Sequence, residues 1–305
     1  MLFGRGSSRL RPLRPAAAEA AMRLALREPV MNALAGARLR DLLGRSALSR
    51  EFSIHGAEQA PDGVLWHGVN IAPLSAGPTA LAAFADHLAV RERRASSIVG
   101  PRPAVEALWQ RMGGAWERGV REYRWSQPML LASAPPEPPS ALSRPSIGAP
   151  SPADEAAPPA GRRGLRAAQP GEEDAVYPAA VAMFTEEVGI DPTLGDGGRA
   201  FRARVTELVR AGRTYVVTDR DRRVVFKADV GAVFGSVAQI HGVWTAPELR
   251  GRGIGRRAMA ELVPLVQAAH APQVSLYVND FNDPARRAYA AAGFRPVGEL
   301  STILF

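Results

Sequence analysis

Val243-Trp244-Thr245-Ala246-Pro247-Glu248-Leu249-Arg250-Gly251-Arg252-Gly253-Ile254-Gly255-Arg256-Arg257 is the stretch on which the reading of this chain turns. A short apolar run stops at a proline, and Arg-Gly-Arg-Gly-Ile-Gly then opens into a helical pattern. Ile254, Ala258, Leu262, Val266 and Ala269 recur at helical spacing behind the glycines. The stretch predicts a strand, a glycine turn and a helix N-terminus. Such a junction suits an anion, because free N–H groups and the positive end of the helix dipole face outward and glycines put no Cβ in the way. Taken alone, a glycine-rich turn is more often an ordinary strand-to-helix connection. Two familiar phosphate motifs fit poorly. The Walker loop needs Gly-Lys-Ser/Thr, where this chain has Gly255-Arg256-Arg257. The dinucleotide fingerprint needs wider glycine spacing and an acidic residue ending the next strand, whereas Val274 to Val278 runs into Asn279.

The spacing Arg250-x-x-Gly253-x-Gly255 resembles the acetyl-coenzyme A pyrophosphate loop of the GNAT superfamily of N-acetyltransferases. Downstream, Asn282-Asp283-Pro284-Ala285-Arg286-Arg287-Ala288-Tyr289-Ala290-Ala291-Ala292-Gly293-Phe294 carries the family's Asn, Ala, Tyr and Gly-Phe positions at matching separations. The resemblance covers roughly residues 164–305. It implies an α/β (α+β) chain with the GNAT fold, a central mixed, mostly antiparallel sheet flanked by helices. Phe184-Thr-Glu-Glu-Val-Gly, Phe226-Lys-Ala-Asp-Val-Gly-Ala and Val274-Ser-Leu-Tyr-Val-Asn-Asp-Phe-Asn are similar to signatures of tandem bacterial proteins, with an uncharacterised domain ahead of a GNAT domain.

The Pro/Ala/Ser-rich run divides the chain. Residues 133–164 hold almost no large apolar side chains and read as a disordered or extended linker. The division expected is a basic tail at 1–16, an α/β domain at 17–132, that linker, and a GNAT domain at 165–305. In the first domain, helices are expected at 17–27, 79–93 and 101–112, and strands at 64–74 and 95–99. That order imitates the second half, so the first is read as a degenerate GNAT-like fold. Between Leu74 and Thr79 the connection is Ser-Ala-Gly-Pro, without the pyrophosphate-loop pattern. In the second half the helices are expected at 174–187, 198–211 and 284–292, besides the one opening at Ile254. Strands are expected at 214–218, 224–233, 237–245, 273–278 and 299–305, and a kink at Pro264, around Ala260.

Bulk properties agree with a soluble, cytoplasmic enzyme. The 305 residues suffice for two domains. There are no cysteines, which excludes disulfides, thiolate metal sites and a cysteine nucleophile. Five scattered histidines show no paired ligand spacing, so no metal is expected. No apolar stretch has membrane-span length, and the arginine-rich start lacks an apolar signal core. Of the net charge of +8, nearly all comes from residues 1–50, with ten arginines against three acids. Phe3 is the only aromatic residue there, so a solvated basic segment is expected rather than a nucleic-acid surface.

The resemblance implies acetyl transfer from acetyl-coenzyme A to an amine, carried on a small molecule or a protein. The backbone of Arg250, Gly251, Arg252, Gly253, Ile254 and Gly255 would cap the pyrophosphate, with charge added by Arg252, Arg256 and Arg257. Gly242, Val243 and Trp244 would meet the pantetheine arm, one N–H pointing at the thioester oxygen. Tyr289 would be the general acid on the leaving thiolate, and Asn282 would bond the pantetheine arm or cap its helix. For the general base the carboxylates Glu186 and Glu187 come first, with Asp229 and His241 as competitors. Two other readings stay open: a tandem aminosugar acetyltransferase similar to mycothiol synthase, and a coenzyme A-binding regulatory module without turnover. Oligomeric state is not legible.

Overall fold

A computed structural model describes residues 10–133 and 164–305. The expected linker at 133–164 and the first part of the basic tail lie almost wholly outside the described residues.

The N-terminal half runs β1 (Arg11–Pro12), α1 (Pro15–Ala25), α2 (Ala33–Asp41), α3 (Leu48–Glu51), β2 (Phe52–Ala57), β3 (Ala60–His67), β4 (Asn70–Leu74), α4 (Pro78–Ala89), β5 (Ser97–Pro101), α5 (Arg102–Trp116) and β6 (Glu122–Ser133). The C-terminal half runs β7 (Arg166–Ala167), α6 (Glu173–Val188), α7 (Arg199–Arg210), β8 (Thr214–Thr218), β9 (Val224–Phe234), β10 (Val237–Thr245), α8 (Ile254–Ala269), β11 (Gln273–Tyr277), α9 (Asp283–Ala291) and β12 (Arg295–Leu304). This is the mixed, mostly antiparallel sheet flanked by helices that the sequence predicts.

All twelve strands join one sheet in the order β1-β2-β3-β4-β5-β12-β6-β11-β10-β9-β8-β7. Among the described residues only β4/β5 and β10/β11 pair in parallel, each through a crossover helix, α4 or α8. The halves thus repeat one topology. They also exchange strands: β12 of the second half lies between β5 and β6, while β6 of the first lies between β12 and β11. Alternation along β6 explains its place. Arg124 reaches toward α6, while Tyr123 meets Trp109 of α5 at a ring separation of 5.7 Å.

Local departures from the sequence reading have identifiable causes. The single strand expected at 64–74 is a hairpin, β3 and β4, with Gly68 next to its turn. A Cβ on Gly68 would come within 2.6 Å of the Glu51 carboxylate and 2.7 Å of the Trp66 indole nitrogen. Helix α8 continues through Pro264 to Ala269 and buries Ile254, Ala258, Met259, Leu262, Val263 and Val266, while Ala269 faces solvent. Each large apolar side chain so buried contributes about 2 kcal/mol before entropy is subtracted.

In each half the parallel pair parts after a few residues. β10 and β11 are in register only from Val237/Gln273 to Gln239/Ser275. In the N-terminal half, β4 and β5 part after Ile71/Ile98. There Met31, Asn32 and Ala35 line a small pocket with Ala72, Pro73, Leu74, Val99 and Gly100. Asn32 is 2% exposed and donates to Ala25 O and Ser75 Oγ, both at 2.9 Å. The α2 segment therefore packs at the opening in the first half and ties to the turn that stands where the second half has its glycines.

Candidate functional site

The site lies where β10 and β11 separate. Along β10 the pairing with β9 passes from His241/Asp229 to Trp244/Lys227, so Gly242 and Val243 oppose a single residue. That is a β-bulge, and Gly242 makes it possible with φ of +56°. A Cβ at Gly242 would lie 2.8 Å from Met183 Cε and 3.3 Å from Asp229 Oδ2.

The glycine turn follows. Gly251 and Gly253 have φ of +75° and +73°, and nothing lies within 4 Å of where a Cβ would stand on either. Gly253 is the N-cap of α8, without a side-chain cap and without an acidic residue in the first turn. Its outward N–H groups have no intrahelical partners and carry the positive end of the dipole. This arrangement fits a pyrophosphate: backbone donors, open space and no acidic residue in the first turn of the helix. Gly255 sits tight against β10, where a Cβ would be 3.3 Å from Thr245 Oγ1. Arg252 and Arg256 are exposed and Arg257 is half-buried. Arg250 turns back, bonding Thr245 O at 3.0 Å and Glu186 Oε2 at 2.6 Å.

The carboxylates expected on the first helix of this half come at the end of α6 and diverge in their partners. Glu186 accepts from Trp244 Nε1 at 3.0 Å as well as from Arg250. It thereby ties α6 to the bulge and to the glycine turn. Glu187 is exposed at the end of α6, with part of the water around its carboxyl replaced by protein. Desolvation pushes its pKa up, against the charges of Arg124 and Lys227, while Glu122 adds to the rise. Tyr289, on α9, is 7% exposed, and its phenol is raised by burial first and by Glu187 second. Tyr277, at the end of β11, is pushed up to about 12 by burial, with Glu187 adding and Arg124 opposing. Glu187, Tyr289, Tyr277 and Arg124 thus share one electrostatic neighbourhood.

The competing bases are engaged elsewhere. Asp229 accepts from Lys227 Nζ at 2.6 Å and from Thr214 Oγ1 at 2.8 Å. His241 bonds Gln239 Oε1 at 2.8 Å and sets its ring edge-on to Tyr277. Burial lowers its pKa to about 4. Asn282 is the N-cap of α9, its Oδ1 accepting from Ala285 N at 3.3 Å. Among the described residues, no group of three or more His, Cys, Asp or Glu side chains is placed to hold a metal ion, and no helix is long and apolar enough to cross a membrane.

Three residues here escaped the sequence reading. Lys227 carried a signal, a lysine two residues from an aspartate in an otherwise apolar strand. Tyr277 was legible only as a strand residue. Arg124 carried none, because its place depends on the exchange of β6.

Residues 201–294 match the model of the Acetyltransferase (GNAT) family, and residues 52–147 match Domain of unknown function (DUF4081). Residues 201–294 therefore carry a GNAT-family acetyltransferase domain, preceded at 52–147 by a DUF4081 domain. Among solved structures, a GCN5-related N-acetyltransferase from Sphaerobacter thermophilus is 17% identical with a TM-score of 0.54, over 97% of this chain and 94% of that one. A tandem GNAT protein from the clavulanic acid biosynthesis pathway, without acetyl-coenzyme A, is 18% identical with a TM-score of 0.53, over 96% and 97%. A Drosophila protein is 14% identical with a TM-score of 0.60, over 97% and 98%. At these identities the likeness speaks for the fold. No curated protein sequence matches the chain.

Proposed function

We propose that the protein moves an acetyl group from acetyl-coenzyme A to a primary amine by direct attack in a ternary complex. The observation that carries this reading is the opening between β10 and β11, with a bulge on one lip and an acid-free helix start at its end. The backbone of Gly251, Arg252, Gly253, Ile254 and Gly255 holds the pyrophosphate, and Arg250 contributes through its backbone because its side chain is taken. Gly242, Val243 and Trp244 receive the pantetheine arm and the thioester oxygen. The amine nitrogen attacks the thioester carbon, the C–N bond forms, and the C–S bond then breaks. Glu187 takes the ammonium proton, and Tyr289 gives its proton to the departing thiolate and recovers one from water. Glu186 acts by positioning Trp244 and Arg250. Asn282 sets the start of α9 and so the place of Tyr289.

The acceptor is an amine on a small molecule or a protein, and the setting is cytoplasmic. The reacting residues belong to the domain at 165–305, joined by the linker at 133–164 to the domain at 17–132, whose Arg124 supports Glu187. Calorimetric titration of acetyl-coenzyme A into the wild type and Gly253→Glu tests the reading. The new side chain has open space and costs about 1 kcal/mol of left-handed backbone strain, so the variant folds. Its carboxylate stands where the pyrophosphate binds, and binding is lost. A folded wild-type protein that binds no acetyl-coenzyme A removes the proposal.

A further inference from the structure

Lys227 is 1% exposed, on a strand whose other side chains are mostly apolar. Removing an ammonium and a carboxylate from water costs several kcal/mol per ion, and apolar replacements of such a pair are often neutral or stabilising. Folding alone is thus a weak reason for this pair. Its geometry supplies another. Lys227 Nζ donates to Asp229 Oδ2 at 2.6 Å and to the carbonyl oxygen of Gly242 at 3.3 Å. Asp229 is itself held by Thr214 Oγ1 at 2.8 Å. Lys227 and Asp229 are also the two β9 residues that pair with the ends of the bulge, Trp244 and His241.

The carbonyl of Gly242 and the N–H of Val243 belong to one peptide group. In a trans peptide these two bonds point in opposite directions, and the chain has no cis peptide bond among the described residues. Drawing the Gly242 oxygen to Lys227 Nζ therefore turns the Val243 N–H the other way, away from that ammonium. Inside a bulge no ladder hydrogen bond dictates this orientation, and glycine by itself permits several. We propose that Lys227, seated on Asp229, is a positioning residue that aims the Val243 N–H at the acyl carbonyl. The inference rests on the reading of the opening as the acyl-donor site.

A test needs no knowledge of the acceptor, because coenzyme A lacks the carbonyl that acetyl-coenzyme A carries. Lys227→Met combined with Asp229→Leu removes both charges and leaves no orphan ion. This double variant should melt within a few degrees of the wild type and bind coenzyme A as the wild type does, through the untouched start of α8. The wild type should bind acetyl-coenzyme A about fivefold more tightly than coenzyme A, the worth of one hydrogen bond, and the double variant should lose that preference. Isotope-edited infrared spectra of carbonyl-labelled acetyl-coenzyme A should show the thioester stretch lowered on the wild type and unshifted on the variant. Where the variant does not fold, the Val243 amide resonance of the wild type decides. It should move clearly further with acetyl-coenzyme A than with coenzyme A, which brings the pantetheine arm without the carbonyl. A double variant that keeps the lowered stretch, or a Val243 amide that responds equally to both ligands, overturns the inference while the transferase reading stands. A wild type that binds neither ligand overturns both.

Discussion

Tyr289 and Glu187 come from helices more than ninety residues apart in the chain, yet the Glu187 charge reaches the Tyr289 phenol and adds to its rise. Burial holds the phenol protonated through the neutral range, the state a general acid needs before the thiolate forms. Tyr289→Phe keeps the packing against Phe294, whose ring lies 6.0 Å away. We expect turnover to fall by roughly 10²-fold while acetyl-coenzyme A affinity stays within about twofold of the wild type; steady-state kinetics and calorimetry check both. Histidines contribute to the acid response of the fold. His87 and His241 are each lowered to about 4, chiefly by burial, and His67 is lowered for the same reason. The unfolded chain binds their protons first, near pH 6.5. Stability is therefore at its full value above that pH and is lost as pH falls toward about 4. Melting temperatures should drop by a few degrees between pH 6.5 and 4.5, and by less in His87→Leu. A flat profile across that window rejects the assignment.

At the scale of elements, the end of α6 is held by the other half of the chain. Arg124 of β6 donates to the carbonyl of Glu187, and Arg121 donates to that of Val188 at 3.4 Å. Guanidinium groups at a helix C-terminus satisfy its last carbonyls and oppose its negative dipole end. Arg124 is oriented by the two bonds it donates to the Glu122 carboxylate, at 2.8 and 2.9 Å. The same charge lowers the Glu187 carboxyl against its desolvation. Arg124→Met should therefore raise the Glu187 pKa further, moving the acid limb of the pH–rate profile to higher pH and slowing turnover several-fold at neutral pH. Coenzyme affinity should change little, since α8 is untouched. An acid limb that stays in place would remove either Arg124 or Glu187 from the proton path.

For the whole molecule, strand exchange is the governing feature. β12 has neighbours only from the first half, β5 on one side and β6 on the other. A chain of residues 164–305 alone would leave β12 without either partner and expose the edge of β11, a surface prone to self-association. Calorimetry of the full chain should show one cooperative transition, and the isolated second half should aggregate or remain unfolded. Two well-separated transitions, or a soluble folded fragment, would show that the halves stand independently.

Local sequence determined the elements around the glycine turn. Gly251, Gly253 and Gly255 are needed for positive φ or close approach, and the stripe behind them is helical, so strand, turn and helix were legible from one window. The Asn282 cap and the Tyr289 position were legible in the same way, because both depend on spacing along one helix. Other features rest on contacts between distant segments. The hairpin at Gly68 is closed by Glu51 of α3, which leaves no room for a side chain there, and β6 owes its place to two strands of the far half. The division of labour between Glu186 and Glu187 is also tertiary, since adjacent residues on a helix point about 100° apart and meet different neighbours. Lys227 shows the same limit: its sequence marks it as an oddity, and only the bulge opposite gives that charge a carbonyl to hold.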